Sequence, residues 1–269
     1  LPMALESIGE SCFSGCDSIA EITIPSNVGS IGNYAFQGCK NLSDVIIEGG
    51  DTTLYLGSNG SSPLFADCPL DSVYIGGKLK YSTGKYEGYS PFYRNSTLRS
   101  VVVGGKEEEI YYNAFYGCAN LQNVTIGNGV KRIGDYAFSG CSGLNSFEFG
   151  SSMESIGQEA FSDCTNLSKI VSYASVPPTC GNMALDDINK WECLLQVPKS
   201  CLEAYQNAEQ WKEFFFMENI PAAINGVVMD GEDADKDAPV YNLHGVRMQN
   251  TDNLPAGIYI KNGKKYMVR

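Results

Sequence analysis

The sequence predicts a right-handed repeat solenoid built mainly from short parallel β-strands, joined by turns and short helical segments. The first indication is a nine-residue pattern, IGxxAFxxC, which occurs at 31–39, 133–141 and 156–164. The second is the regular recurrence of its phenylalanine, because self-similarity at a fixed period of roughly 20 to 50 residues indicates stacked repeats. Seven phenylalanines occupy this position, most of them 23 residues apart: Phe13, Phe36, Phe65, Phe92, Phe115, Phe138 and Phe161.

A second block follows each phenylalanine and predicts one strand per repeat. Apolar side chains alternate with others at 42–47, 121–126 and 144–149, and this period of two is typical of a strand with one buried face. A period of 23 residues lies within the roughly 20 to 29 residues of leucine-rich repeats, in which every coil adds one strand to a parallel sheet. The two longer spacings reflect insertions at 51–62 and 78–89.

Each repeat should form one coil that is stable only against its neighbours. A single coil cannot bury both its phenylalanine and its inward strand residues, so adjacent coils must cover them. The glycine before the cysteine, as in Gly38 and Gly140, fits a turn that needs a positive φ or close contact between coils. With strands about 4.8 Å apart, the visible coils give a sheet roughly 29 Å wide, which suits a long binding surface better than an enclosed pocket.

Six of the ten cysteines share one repeat position and should form a ladder of buried free thiols. Stacked coils point their Cβ atoms in parallel, whereas a disulfide needs a χ3 near about ±90°. Cys12 stands where other repeats have alanine, which predicts a small buried residue there. Cys180, Cys193 and Cys201 lie outside the ladder, and their pairing is left open. The ladder positions are Cys16, Cys39, Cys68, Cys118, Cys141 and Cys164.

Over residues 1–172 the repeat IGxxAFxxCxxLxxVxI resembles the BspA-like leucine-rich repeat proteins of Bacteroides-type bacterial surfaces. The resemblance implies a non-enzymatic protein, secreted or displayed on the cell surface, that binds host matrix proteins or the surface proteins of other bacteria. An envelope structural or assembly module and a carbohydrate-binding surface protein are the alternatives. Residues 1–9 match residues 24–32 position for position, so we expect an upstream segment that includes a signal peptide.

Residues 173–220 resemble the segment that closes such solenoids, and we expect them to form a C-terminal cap with one helix. Ser200 and Glu203 have the spacing of a capping box at the start of that helix. An apolar stripe follows and would cover the last coil. The stripe consists of Ala204, Tyr205, Ala208, Trp211 and Phe215.

A linker and a small β module should complete the chain. The acidic stretch at 221–239 suits a solvated linker. Residues 240–269 resemble a C-terminal β module of exported Bacteroidales proteins, for which the resemblance implies a sorting role, with a purely structural appendage as the alternative. Asn262 and Gly263, placed between two alternating segments, predict a two-residue hairpin.

The charge of the chain argues against two classes of partner. A formal net charge of −12 would repel the phosphate backbone, whose neutralisation by Lys and Arg supplies most non-specific affinity. We therefore expect neither nucleic acid nor an anionic bilayer as a partner. No apolar run approaches the roughly 20 residues that cross a bilayer.

No set of residues indicates catalysis, a cofactor or a metal ion. His244 is the sole histidine, so any Ser/His/Asp or Cys/His mechanism would depend on the C-terminal module, where a role in a turn is the simpler interpretation. Aspartates at 233, 235 and 237 have the alternation of a calcium loop, but Ala238 and His244 stand where that loop needs glycine and glutamate. We expect a linker there, and no enzyme.

Alternate residues of each strand should face away from the core and form the candidate binding surface. Ile46, Tyr74 and Val102 on adjoining coils form either an exposed apolar patch, typical of an interaction site, or a patch covered by a neighbouring loop. Tyrosines of the second insertion are further candidates, because tyrosine is frequent in contact surfaces. The candidate contact residues are Asp44, Ile46, Ser72, Tyr74, Val102, Asn123, Thr125 and Glu148 on the sheet, with Tyr81 and Tyr86 in the insertion.

Overall fold

A computed structural model of the protein describes residues 1–57, 62–81, 90–104 and 106–220, together with three strands nearer the C-terminus. The chain up to residue 220 forms a parallel β-solenoid of about nine turns, which confirms the predicted fold class. Each turn of the solenoid is called a coil here and is identified by its phenylalanine, as in the Phe65 coil. The chain forms two compact units, Leu1–Ile220 and Pro221–Arg269.

The main sheet is entirely parallel and receives one four-residue strand from each coil. Its strands pair in register with the strand one coil away, so equivalent repeat positions lie side by side. The four-residue length and the alternation of buried and less buried side chains agree with the period of two in the sequence. The strands are Glu21–Ile24, Asp44–Ile47, Ser72–Ile75, Ser100–Val103, Asn123–Ile126, Ser146–Phe149, Lys169–Ser172, Leu194–Val197 and Phe216–Asn219.

A second set of short parallel strands, the side ladder, runs along another side of the coils. Within the described residues it is interrupted between Leu79–Lys80 and Glu109–Ile110. Here a side chain substitutes for the backbone, because Oε2 of the buried Glu107 accepts a hydrogen bond from the Leu79 N–H at 2.7 Å. The strands are Ser7–Ile8, Ser30–Ile31, Leu54–Leu56 and Leu79–Lys80, then Glu109–Ile110, Arg132–Ile133, Ser155–Ile156 and Thr179–Cys180.

The interruption of the side ladder leaves a small cavity beside Glu107. Its volume is about 20 Å³, and Tyr81, Tyr111 and Phe92 are among the residues that line it. Burial raises the pKa of Glu107, and the hydrogen bond from Leu79 acts in the opposite direction. The poorly hydrated carboxylate satisfies a backbone donor that would otherwise lack a partner. This hydrogen bond offsets part of the cost of burying the carboxylate.

The phenylalanines of the repeat form one continuous column in the interior. Neighbouring rings lie 5.4–5.5 Å apart between centroids and within 16° of parallel, from Phe13 to Phe161. Offset stacking at this distance is favourable for aromatic rings. Phe13 is partly buried, whereas Phe36 and Phe115 are fully enclosed. The predicted column is confirmed, including the two coils that carry insertions.

The cysteine ladder consists of free thiols, as predicted. Each ladder thiol from the second coil onward donates a hydrogen bond to the phenylalanine carbonyl of the preceding coil, at 3.0 Å for Cys39 and 3.2 Å for Cys141. The expectation for Cys12 was wrong, because its side chain is exposed, whereas Ala35, Ala137 and Ala160 at the same position of other coils are fully buried. Cys180 is partly buried, Cys193 and Cys201 are buried, and all three are unpaired thiols.

The parallel sheet continues beyond residue 172, so the segment expected to be a cap also supplies two strands of the solenoid, Leu194–Val197 and Phe216–Asn219. Ala184 and Leu185 follow the pattern of the earlier Ala–Phe pairs, since the Phe161 N–H bonds to the Ala184 carbonyl as Phe138 bonds to Ala160. Leucine replaces the ring in this coil, and the phenylalanine column ends at Phe161.

The helix of this segment is shorter than predicted. It covers only Leu202–Asn207, begins at Cys201 without any side-chain cap, and so lacks the expected capping box of Ser200 and Glu203. Ala208 adopts an extended conformation and Gln210 has a φ of 64°, which ends the helix in the middle of the apolar stripe. Phe215 lies beyond this break and is exposed.

Two residues of the stripe nevertheless close the core. Tyr205 and Trp211 are fully buried against each other, with ring centroids 5.5 Å apart. The Trp211 indole N–H donates to the Pro178 carbonyl at 2.8 Å, and the Tyr205 hydroxyl donates to the Ala174 carbonyl at 3.1 Å. Large rings with satisfied polar groups thus cover the end of the column.

The second unit contains a three-stranded antiparallel sheet formed by Val240–Asn242, Gly257–Lys261 and Lys264–Val268. Lys261 pairs with Lys264, which leaves two residues between the strands and confirms the predicted hairpin. The stretch 221–239, with its aspartates, and His244 lie outside the described residues, so the linker stays a prediction.

We predict that Phe115→Ala destabilises the solenoid by about 3–5 kcal/mol, because it removes a fully buried ring from between two others and leaves a cavity. Urea unfolding followed by circular dichroism measures the loss. Phe13→Ala is the matched control, since Phe13 stacks on one neighbour and is partly buried, and it should cost clearly less. Equal losses for the two variants would contradict the conclusion that a ring enclosed by two neighbours stabilises the solenoid more than a ring with one neighbour.

We also predict that Cys12 is the fast-reacting thiol of the folded chain 1–269. Burial raises the pKa of Cys118 to about 12 and also raises the pKa of Cys141, so at about pH 8 these thiols stay protonated, and the thiolate is the reactive form. Titration with Ellman's reagent should show one fast phase that Cys12→Ser removes and Cys141→Ser leaves unchanged. A fast phase that survives Cys12→Ser would disprove this assignment.

Candidate binding surface

The outward side of the main sheet carries two rows of side chains and is called the outward sheet face. The first and third residues of each strand point to this side, while the second and fourth, such as Val124 and Ile126, are buried in the core. In-register pairing aligns equivalent residues into rows. The first row contains Glu21, Asp44, Ser72, Ser100, Asn123, Ser146, Lys169, Leu194 and Phe216, and the second contains Thr23, Ile46, Tyr74, Val102, Thr125, Glu148, Val171, Gln196 and Glu218.

Three of the candidate residues lie in the first row, where polar side chains dominate. Asp44 and Ser72 are in direct contact, because the Ser72 hydroxyl donates to the Asp44 carboxylate, and Ser43 donates to its other oxygen. Asn123 is exposed two strands further along. This row therefore offers fixed acceptors and donors close to solvent, which suits hydrogen bonding to a ligand.

The second row corrects the expected apolar patch. Val102 is only 5% exposed, so the prediction that it faces solvent was wrong, and Ile46 and Tyr74 are half-buried. Val102 is flanked in register by Tyr74 and Thr125, and in-register side chains of adjacent strands shield one another. An uninterrupted apolar patch is thus not presented to a partner.

Glu148 and Thr125, the other candidates of the second row, are half-buried. The Glu148 carboxylate accepts a hydrogen bond from Tyr173. The pKa of the Tyr173 hydroxyl is raised to about 12, mainly by burial and secondly by the negative charge of Glu148. Further along, Gln196 donates to Glu218 at 2.8 Å. This end of the row is therefore an ordered network of polar groups.

Tyr81 lies apart from the outward sheet face, directly after the strand Leu79–Lys80 of the side ladder. Its ring is partly buried against the core and lies 5.5 Å from that of Tyr111 between centroids. Burial raises the pKa of the Tyr81 hydroxyl. Tyr81 therefore contributes to packing near Glu107, and Tyr86 lies outside the described residues.

Among the residues that the structure describes, no group of three His, Cys, Asp or Glu side chains is arranged to hold a metal ion. No described helix combines the length and apolar character needed to cross a bilayer. The chemistry of the outward sheet face is that of hydrogen bonds, charge and shape.

Two surface features were missed by the sequence interpretation. Trp191, Phe215 and Phe216 form an exposed aromatic cluster at the last coils, with centroids 5.1 and 5.0 Å apart. The aromatic run at 214–216 was a signal for it. The other is a groove of about 630 Å³ at the turns that follow Phe65 and Phe92, called the corner groove. Its signal was an arginine, Arg94, at the glycine position of the repeat.

Comparison with solved structures gives similarities of limited extent. The chain is similar to a leucine-rich repeat protein from Bacteroides ovatus, with 23% identity and a TM-score of 0.41 over 82% of this chain and 71% of that one. It is also similar to a leucine-rich cell surface protein from Faecalibacterium prausnitzii, with 20% identity and a TM-score of 0.46 over 74% of this chain and 60% of that one. This chain thus spans less than two thirds of the second protein.

Family comparison is more decisive. No curated protein shows significant sequence similarity to this chain. The family model described as the BspA type leucine rich repeat region, in contrast, matches residues 1–87 and 85–209 in six copies. These matches cover most of the solenoid, including the strand Leu194–Val197 beyond residue 172, and they agree with the repeat geometry above. The chain belongs to the BspA-type leucine-rich repeat family.

Proposed function

We propose that the chain is a non-enzymatic binding module of a secreted or cell-surface protein. In this proposal the outward sheet face contacts a protein ligand, either a host matrix protein or the surface protein of another bacterium. One observation carries the proposal: the register of nine parallel strands aligns the first row, whose side chains are all exposed or half-buried, along one face of the sheet. Family membership agrees with a role in protein interaction.

The dimensions of this face favour a macromolecular ligand. Nine strands at about 4.8 Å spacing extend roughly 38 Å, which is the scale of a protein interface and larger than a pocket for a small molecule. The rows are shallow, because each strand contributes only two outward residues. A catalytic site would instead need polar groups that converge in a deep pocket.

The charge of the face defines the preferred ligand further. Glu21, Asp44, Glu148 and Glu218 lie on it, with Lys169 as a cation on the seventh of the nine strands. Complementary charge mainly increases the rate and the selectivity of association. We therefore propose a ligand whose contacting patch is basic, with hydrogen-bonding groups that match Asn123 and the serines of the first row.

We predict that Glu21→Arg combined with Asn123→Arg weakens this binding. The repeat protein is applied to an array of purified matrix proteins and glycans, and affinity for any protein ligand found is measured by surface plasmon resonance. The double variant should weaken binding at least about tenfold, because two bulky cations replace groups of the interface. Both residues are exposed, so the variant should keep the stability of the native protein.

Gln206→Arg combined with Glu209→Arg is the matched control, since it makes the same change in charge at exposed positions of the C-terminal segment. Binding should be unchanged in this variant. Equal loss in both variants would indicate a general effect of charge and contradict the assigned face. Binding to glycans with no protein ligand on the array would favour the carbohydrate alternative over our proposal.

A further inference from the structure

The corner groove lies where the turns of the Phe65 and Phe92 coils meet, away from the outward sheet face. It measures about 630 Å³, within the range of roughly 300 to 1,000 Å³ that is usual for ligand sites. Its walls combine apolar and charged groups. Pro63, Pro69 and Pro91 line it together with Lys40, Asp67 and Arg94.

The groove exists because two coils separate at this corner. In other coils the N–H of the residue before the cysteine bonds to a carbonyl of the next coil, for example Gly15 to Gln37 at 2.8 Å and Gly117 to Ser139 at 2.7 Å. The equivalent residues here, Asp67 and Tyr93, do not form this bond in the described structure. The Asp67 N–H is thereby left without the coil-to-coil bond that its position normally makes.

Arg94 occupies a position that is glycine or aspartate in the other coils of the phenylalanine column. Gly15, Gly38, Gly117 and Gly140 hold this position with φ between 69° and 77°. Arg94 adopts the same left-handed region with φ 53°, which costs conformational energy for a residue with a long side chain. Asp67 and Asp163 adopt the same region at this position, with φ of 58° and 59°, so the distinctive feature of Arg94 is its long cationic side chain.

The side chain of Arg94 is also held in a defined place. Its guanidinium lies 5.4 Å from the Tyr93 ring centroid and 5.8 Å from that of Tyr116, and these two rings stack on each other. Gly117 leaves room for it, since a Cβ on that glycine would lie 2.8 Å from the Arg94 Cγ. Within the described residues Arg94 forms no ion pair.

We propose that the corner groove binds an acidic side chain in an extended segment of a protein partner. The planar guanidinium of Arg94, fixed by two tyrosines, binds the carboxylate through two parallel hydrogen bonds. Lys40 adds positive charge, because its interaction with Asp17 is 4.0 Å long and exposed. The Asp67 N–H supplies a donor for a carbonyl of the bound segment. The inference shares with the proposed function only the premise that the ligand is a protein.

The charges nearby favour a peptide with one acidic residue over a polyanionic glycan. Asp67 is exposed at the rim of the groove and would repel a second negative charge next to the first. The net charge of −12 would oppose a long polyanion more strongly than a short segment. A single carboxylate placed at Arg94, with an apolar or polar residue on each side, fits this pattern.

Binding of peptide pools tests the proposal. Fluorescein-labelled heptapeptide pools, each with one residue type fixed at the central position, are titrated with the repeat protein and followed by fluorescence polarisation. Pools with central Glu or Asp should bind about tenfold more tightly than pools with Gln or Asn, the effect expected of charge-assisted hydrogen bonds. Arg94→Gly should remove this preference, and Arg94→Lys should reduce it, since lysine lacks the planar donor pair.

The design separates function from stability. Arg94→Gly restores the residue usual at this position, so its thermal midpoint should equal or exceed that of the native protein. Arg132→Gln removes a cation from the distant side ladder and should keep the preference for acidic pools. Equal binding of acidic and amide pools to the native protein, or an acidic preference that survives Arg94→Gly, would overturn the proposal. An Arg94-dependent affinity for oligogalacturonate without any acidic peptide preference would overturn it in favour of a glycan.

This outcome is independent of the array experiment. A protein ligand that is lost on substitution of Glu21 and Asn123, together with peptide pools that show no acidic preference, removes only the groove inference. An acidic preference at Arg94 with no ligand for the outward sheet face removes only the role proposed for that face.

Discussion

No coil of this chain can enclose its own phenylalanine, and the rest of the structure depends on that constraint. A ring is covered only when the coils before and after it place their own rings at 5.4–5.5 Å between centroids. The strands set a spacing of about 4.8 Å through their hydrogen bonds, and the rings fit this spacing by stacking with an offset. Each ladder thiol from Cys39 onward then bonds the phenylalanine carbonyl of a preceding coil, so the ring, the thiol and the strand all fix the same register.

This register also defines the outward sheet face. Because the inward residues repeat, the outward residues one position away are aligned whatever their identity. Ser72, Ser100 and Asn123 therefore lie side by side although their side chains contribute little to the core. The core carries the stability, and the rows are free to differ from coil to coil. Separation of these two tasks is what allows a repeat fold to serve as a binding surface.

The sequence was sufficient for features that repeat and insufficient for features that depend on a single neighbour. The column, the strands and the free thiols follow from a period of 23 residues, and the hairpin follows from two turn residues. The burial of Val102 was not predictable from alternation, because it depends on the residues beside it. The early end of the helix depends on Gln210, whose φ of 64° is stabilised by tertiary contacts: its side chain bonds the Leu185 N–H and the Gly181 carbonyl.

The candidate site shows the same division. Sequence alternation correctly placed Asp44, Ser72 and Asn123 on an accessible face, since their strands have one buried side. It could not find the corner groove, because the groove arises from a hydrogen bond that two turns 26 residues apart do not make. The one local trace was Arg94 in place of glycine, and its meaning becomes clear only when Gly117 and the two tyrosines are seen around it.

Departures from the repeat concentrate around the Phe92 coil, and the column shows why they are tolerated there. The side ladder is interrupted between Leu79–Lys80, which precedes Phe92, and Glu109–Ile110, which follows it; Asn95 replaces the ladder cysteine, and Arg94 replaces glycine. Asn95 compensates by donating to the Cys68 carbonyl at 2.8 Å. The Phe65, Phe92 and Phe115 rings nevertheless stack at 5.4 and 5.5 Å, as elsewhere. Since the interior continues unchanged through this coil, its turns can diverge without loss of the fold, which makes the Phe92 coil the place where a new binding site can arise at least cost to stability.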